Sequence, residues 1–323
     1  MTMCDNLIGF LNEFRIIDEN IKPTHQSWGK IIQGSFNINK SNIKKFVNLY
    51  SSVINNTHLS ILEIQKEYSS ILIDIDLKQS IDNNKRLYNK KDIIKLIKIY
   101  NYVINYFLDM NTINYNFFVF EKPSYITKDN IIKDGFHIMI PEICSTTNVR
   151  HMIRKRVVDI CCEDKLFSNN LDSVDKIIDK SVVSSNGWFL YGSFKPGGLP
   201  YKLTKIYNNK YEELDLSIDD NDLIKYLSIH YKKNKYSEKN ANQIKNNITS
   251  ITNNEINNEN DINNDNEINN ILEHLDKNRF NNYDEWLILY FIFINENYDL
   301  DLFDTYSSTC NNYNKKNKII NKY

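Results

Sequence analysis

Three groups of residues in this 323-residue chain have types and spacing that could do chemistry. The first is Asp74 and Asp76, set in the run Ile71-Leu72-Ile73-Asp74-Ile75-Asp76-Leu77. The alternation predicts a strand, in which side chains two apart share a face, so both carboxylates point one way and Ile71, Ile73, Ile75 and Leu77 pack on the other. Two carboxylates side by side against a packed sheet raise each other's pKa and need a cation or a cationic side chain to balance them. Hard oxygen donors in that arrangement suit magnesium or manganese. The same pattern also describes the polar face of a half-exposed strand, and Asp-x-Asp is short enough to recur by chance.

The second group is Lys133-Asp134-Gly135-Phe136-His137-Ile138-Met139-Ile140-Pro141. A glycine turn leads into an apolar strand whose Phe136, Ile138 and Ile140 share a face, leaving His137 on the opposite one. There the imidazole could donate to a phosphate or be an ordinary satisfied side chain. The third runs from Asp179-Lys180-Ser181 to Tyr191-Gly192-Ser193-Phe194-Lys195-Pro196. Asp179 could complete a two-metal carboxylate site, and Lys195 could hold a nucleotide's phosphates as a point charge. Asp172, Asp175 and Asp179 read equally well as a solvated helix face, and Lys195 as part of a turn.

These groups need elements to hold them. Strand-like runs fall at Ser70 to Leu77, Phe117 to Glu121, Phe136 to Ile140, Trp188 to Tyr191 and Tyr201 to Tyr207. Helical periodicity is clear from Lys91 to Leu108, where Ile93, Ile94, Ile97, Tyr100, Val103, Ile104 and Phe107 form one stripe, and again from Asn148 to Cys162. This order predicts an α+β domain over residues 1–235 with a largely antiparallel sheet and flanking helices. From about Asn240 to Asn270, Asn makes up nearly half of the residues, with no helical or strand period. Such a tract buries too little apolar surface to offset its ordering entropy, so residues 236–272 are expected to be a disordered linker. Residues 273–323 carry one apolar helical pattern, Tyr283 to Asn295, and are expected to form a small helical appendage.

Composition sets outer limits. With 41% hydrophobic residues the chain can bury a substantial core, and no apolar run approaches the length of a membrane span. Five cysteines show no zinc-binding or disulfide spacing, which points to reduced thiols in an intracellular protein with no membrane association and no zinc. A net charge of -1 argues against a chain coated in basic residues, although the average hides an acidic stretch between Glu255 and Glu273 and a basic cluster at Arg150, Arg154, Lys155 and Arg156.

Taken in order, Asp-x-Asp on a strand, then Gly135-Phe136-His137, then Ile177-Ile178-Asp179-Lys180-Ser181-Val182 followed by Gly192-Ser193-Phe194-Lys195, resembles the archaeo-eukaryotic primase superfamily. Within it the chain looks most like the primase domain of the primase-helicases of large DNA viruses, and more distantly like primase-polymerases. Phe118-Val119-Phe120-Glu121-Lys122-Pro123 and Tyr201-Lys202-Leu203-Thr204 support the likeness, as do Thr24-His25 and Gly34-Ser35-Phe36 more weakly. The resemblance implies a catalytic core with an RRM-like sheet that performs template-directed nucleotidyl transfer on single-stranded DNA in replication, as a primase or a primase-polymerase.

Carried over residue by residue, Asp74, Asp76 and Asp179 would hold two Mg2+ or Mn2+ ions. His137 and Lys195, with Gly135, Ser193 and Lys133 beside them, would bind the NTP or dNTP, and Arg150, Arg154 and Arg156 could contact template phosphates. The implied partners are a single-stranded DNA template with its primer and a replicative helicase, fused or separate. The chain departs from its relatives in lacking a Gly-x4-Gly-Lys-Ser/Thr phosphate loop, a zinc cluster, and an arginine just before the Ser-x-Lys turn, where Trp188-Phe189-Leu190 stands. Two other readings stay open: a noncatalytic primase-like module that binds DNA or a helicase, and a manganese-dependent Asp-x-Asp glycosyltransferase.

Overall fold

The alternation around Asp74 extends further than the run that suggests it. In a computed structural model, which describes residues 2–81, 85–108, 110, 114–215, 218–231, 300–308 and the single residues Leu272, Trp286, Leu289 and Phe293, strand β4 covers Tyr68–Ser80. It pairs along its whole length with β7 (Ile131–Thr146). The register slips between Ser70 and Ile71, so that Ser70 faces Cys144 and Ile71 faces Ile140. The extra residues in β7 include Pro141, which has no N–H for the ladder and is therefore tolerated at such an irregularity.

The fold is α+β, with every strand pair antiparallel. Strands β5 (Asn116–Glu121), β6 (Ile126–Lys128), β9 (Lys202–Asn208) and β10 (Glu213–Leu214) join β4 and β7 in a six-stranded sheet of order β10-β9-β5-β7-β4, with β6 paired to β7 off that path. Helix α3 (Lys90–Phe107) packs on α4 (Thr147–Glu163), and α4 packs on β4 and β7. Ile71, Ile73, Ile75 and Leu77 are all buried on that face, each contributing roughly 1.5–3 kcal/mol of hydrophobic stabilisation. Helix α3 begins on a capping box, in which Asn89 accepts from the backbone of the first turn and Asp92 accepts from the Asn89 N–H at 2.9 Å.

Of a second sheet the sequence pattern marks only one strand, in the run Trp188 to Tyr191. This sheet has the order β2-β1-β3-β8, from β1 (His25–Trp28), β2 (Gln33–Phe36), β3 (Ile61–Glu63) and β8 (Trp188–Phe189). Its back shares a core with α1 (Met3–Glu13) and α2 (Ile43–Ile54), built on Leu7, Phe10, Phe36, Phe46, Tyr50 and Ile61. A separate cluster joins Leu72, Phe118, Phe120 and Met139 of the large sheet to Trp188 and to Leu223 and Leu227 of α7 (Asp220–Leu227). Between the sheets the chain forms two short helices, α5 (Val174–Ile177) and α6 (Ser181–Ser184).

The chain divides into two compact units, residues 1–241 and 242–323. In the second, helix α8 (Leu300–Ser307) buries Phe303 against Trp286 and Phe293, and the Trp286 indole donates to Ser307 Oγ at 2.8 Å. The expected linker at 236–272, Leu272 apart, lies outside the described residues. The expected helix over 283–295 is described only at Trp286, Leu289 and Phe293, all helical. No helix among the described residues is long and apolar enough to cross a membrane.

Candidate active site

Antiparallel pairing puts Asp74 opposite His137 and Asp76 opposite Gly135, so β4 and β7 bring the first two groups of the sequence onto one sheet face. The third arrives through the segment after α5. Ile178 forms a bridge with Ile75, and the Asp179 N–H donates to the Asp74 carbonyl at 3.0 Å. The Asp179 carboxylate is oriented in turn by Ser181, whose N–H and hydroxyl donate to its two oxygens at 2.9 and 2.6 Å.

Asp74, Asp76, His137 and Asp179 line a cleft of about 810 Å³ between the two sheets. Its opposite wall comes from β1, β8 and the loop that carries Ser193 and Lys195. The acids there are poorly satisfied. Asp74 Oδ1 is buried and has no hydrogen-bond partner; His137 Nε2 lies 3.1 Å away but off the line of a hydrogen bond. Loss of solvent in the cleft pushes the Asp76 carboxyl up to about 6, with repulsion from Asp74 adding to the shift while His137 and Lys122 oppose it.

His137 is held on several sides. Tyr201 stacks on its ring at 3.6 Å, Trp188 lies 4.7 Å away, and the Lys122 ammonium sits 4.5 Å from the Tyr201 ring centroid. Burial and the neighbouring acids push the Tyr201 hydroxyl far up, so it stays neutral.

The remaining expected residues divide. Lys195 is exposed and lines the cleft. Ser193 also lines it, but its hydroxyl is turned into the fold, accepting from the Ile61 N–H at 3.1 Å and lying 2.9 Å from the Tyr50 hydroxyl. It anchors the loop that presents Lys195. Gly135 lies beneath the site, where a Cβ would stand 2.1 Å from the Ile75 carbonyl, so glycine is what lets β7 approach β4 beside Asp76. Lys133 is exposed opposite Lys78, on the same strand face as His137 but beyond the cleft lining.

The expectation for two arginines is corrected. Arg150 and Arg154 are only 3% and 6% exposed. Arg150 donates to the carbonyls of Lys66, Glu67, Ser145 and Val183. Arg154 donates to the carbonyl of Ile178 at 2.9 Å and to Asp175. Both guanidinium groups satisfy buried backbone oxygens and cannot reach a template phosphate. Arg154 instead fixes the carbonyl next to Asp179. Arg156 alone of the three is solvent exposed, 3.8 Å from Glu163.

Sequence reading gave no role to Lys122, Ser181, Trp188 or Tyr201. The only available signal was their place beside the ordered motifs.

The donor chemistry fits a hard divalent cation: three carboxylates on one wall, one with a buried oxygen that accepts no hydrogen bond and one whose pKa is raised to about 6. The side chains are not preassembled around it. Among the described residues no three His, Cys, Asp or Glu side chains stand close enough together to hold an ion as placed.

A family profile described as "C962R protein N-terminal AEP domain" matches residues 24–207, the span that contains all of these side chains. A second, "Primase C terminal 2 (PriCT-2)", matches residues 268–323. The chain is 29% identical over 220 residues to the "Putative helicase L207/L206" of Acanthamoeba polyphaga mimivirus, covering 65% of this chain and 22% of that protein. It is 27% identical over 221 residues to the "Putative helicase 184R" of Invertebrate iridescent virus 6, covering 61% and 23% respectively. The chain therefore spans under a quarter of the length of these relatives.

Proposed function

The chain belongs to the archaeo-eukaryotic primase (AEP) domain family, and from that membership we propose that it is a template-directed nucleotidyltransferase, a DNA primase or primase-polymerase acting on single-stranded DNA. The observation that carries this reading is the gathering of Asp74, Asp76, Asp179 and His137 on one cleft wall, with Asp74 Oδ1 buried and accepting no hydrogen bond.

Asp74, Asp76 and Asp179 would hold Mg2+ or Mn2+. When bound there, divalent cations supply Lewis-acid chemistry, lowering the pKa of an attacking 3'-hydroxyl and neutralising the charge that develops on the leaving pyrophosphate. The protein's own share is positioning. Ser181 fixes the Asp179 carboxylate, and Arg154 fixes the chain beside it. His137, held in plane by Tyr201, donates from Nε2 to a phosphate oxygen of the incoming nucleotide once that atom turns from Asp74. Lys122 and Lys195 add positive charge at the cleft for the same triphosphate.

The relatives' names, putative helicases, support a link between this domain and a helicase, fused or separate. The noncatalytic module is the second reading, and the observation in its favour is that the acids are not preassembled around an ion. The glycosyltransferase reading gains nothing from family membership. The test is incorporation of labelled NTPs and dNTPs on single-stranded DNA, with and without a primer and with Mg2+ or Mn2+, by the wild type and by Asp74→Ala/Asp76→Ala. Product lost in the double variant supports the enzyme, and absence of primer dependence identifies a primase. Product retained by the folded double variant rejects the site.

A further inference from the structure

The two faces of β1 meet different surroundings. His25 and Ser27 are buried, the His25 ring lying edge-on to Phe46 of α2 at 4.7 Å. Gln26 and Trp28, one step out of phase, line the cleft. Trp28 keeps 45% of its surface exposed, although an indole gains more from burial than almost any side chain. Phe189 of β8 meets it at 5.5 Å with the ring planes 89° apart, which braces the indole from one side. The braced aromatic therefore stands in the same cleft as Asp74, Asp76 and Asp179, with Lys195 also in its lining.

A ligand that fits this arrangement carries flat π faces in series with negative charge. A protein segment would supply the flat faces without the phosphates. We propose that Trp28 is a base-stacking platform for a single-stranded polynucleotide lying along the β1 and β8 wall of the cleft. This deepens the nucleotidyltransferase reading and rests on it, since it names the residue that holds an unpaired base of the strand. Stacking of this kind is tolerant of sequence because every base has a π face.

The test is equilibrium binding of a fluorescently labelled oligothymidylate to the full chain, measured over a range of salt concentrations. The proteins are the wild type, Trp28→Ala, Trp28→Leu and Trp28→Phe. Stacking on one base corresponds to roughly 5- to 150-fold in affinity. Trp28→Ala and Trp28→Leu are expected to bind about tenfold more weakly or worse, and Trp28→Phe close to wild type. All four should share one salt slope, because an indole neutralises no phosphate. Trp28→Leu keeps apolar bulk without the π face, so it separates stacking from loss of fold even if Trp28→Ala unfolds. Wild-type affinity in Trp28→Leu, or Trp28→Phe binding as weakly as Trp28→Leu, would overturn the inference alone. A wild type that binds no oligothymidylate would overturn the function reading and this inference with it.

Discussion

Two sets of acids lie in the first unit, and they are treated in opposite ways. Glu63 of β3 is 1% exposed and fully provided for. Ser228 Oγ donates to it at 2.5 Å, the N–H groups of Ile229 and His230 donate at 2.6 and 3.2 Å, and His25 Nε2 lies 3.5 Å away. Burial alone would raise its pKa, but the imidazoles of His25 and His230 and the Ser228 hydroxyl outweigh it and hold the carboxyl down at about 2. Asp74 has only the His137 imidazole beside it, at 3.1 Å, and no hydrogen bond to Oδ1, and Asp76 moves the other way, up to about 6. A carboxylate whose donors come from the fold is part of the scaffold. One left to repel its neighbour in a cleft is waiting for something from outside the chain.

That contrast breaks most visibly in activity. Asp74→Ala/Asp76→Ala should lower nucleotide incorporation by roughly a thousandfold or more, the scale of losing transition-state charge stabilisation, while leaving the circular dichroism spectrum unchanged. Glu63→Gln should do the converse. It leaves buried donors without a charge to serve and should destabilise by about 3 kcal/mol, read as a thermal midpoint lower by roughly 6–12 °C. If Glu63→Gln were thermally silent and the Asp74/Asp76 variant unfolded, the division between scaffold and site would be wrong.

Smaller effects follow from the signs of the shifts. Asp76→Asn should stabilise the metal-free protein at pH 8 by about 1 kcal/mol, an effect that solvent screening of the exposed carboxylate keeps small. A fall in thermal midpoint would mean Asp76 is already compensated. His230 provides the pH test. It faces Glu63, His25 and Lys66, and burial lowers its pKa from 6.5 to about 4. Between those values the unfolded chain binds a proton that the folded chain refuses, so stability falls as pH drops from about 6.5 to 4. Glu63 is ionised in the folded chain throughout this window and adds its own loss below about 4.5 as the unfolded carboxyl takes up a proton. Asp76 acts in the opposite sense below about 6, because the folded chain then takes up the proton more readily. Replacing His230 with Gln should flatten the loss between pH 6.5 and 4 in a series of denaturant titrations. An unchanged slope would remove His230 as its cause.

The large sheet was legible because its strands are long and alternate. Asp74, Asp76 and His137 could be placed on faces from period two alone, and the isoleucine stripe of α3 announced the helix that backs the domain. The small sheet was legible only at β8, within the run Trp188 to Tyr191, because β1, β2 and β3 are four, four and three residues long, too short to show a clear period. Nothing in the sequence marks Glu63 as buried, since its donors lie about 165 positions away at Ser228 and Ile229. Arg150 and Arg154 misled through their type. Their spacing places them on one helix stripe with Ile153, Val157 and Cys161, all buried, and that periodicity was the better guide than the charge.

The most direct measurement is Mn2+ binding followed by electron paramagnetic resonance of the free ion, in the presence of a nonhydrolysable nucleotide. The wild type and Glu63→Gln, at a temperature where both are folded, should bind Mn2+ alike, and Asp74→Asn/Asp76→Asn should bind at least tenfold more weakly. Equal binding by wild type and the double variant would contradict the assignment of this cleft as the metal and nucleotide site.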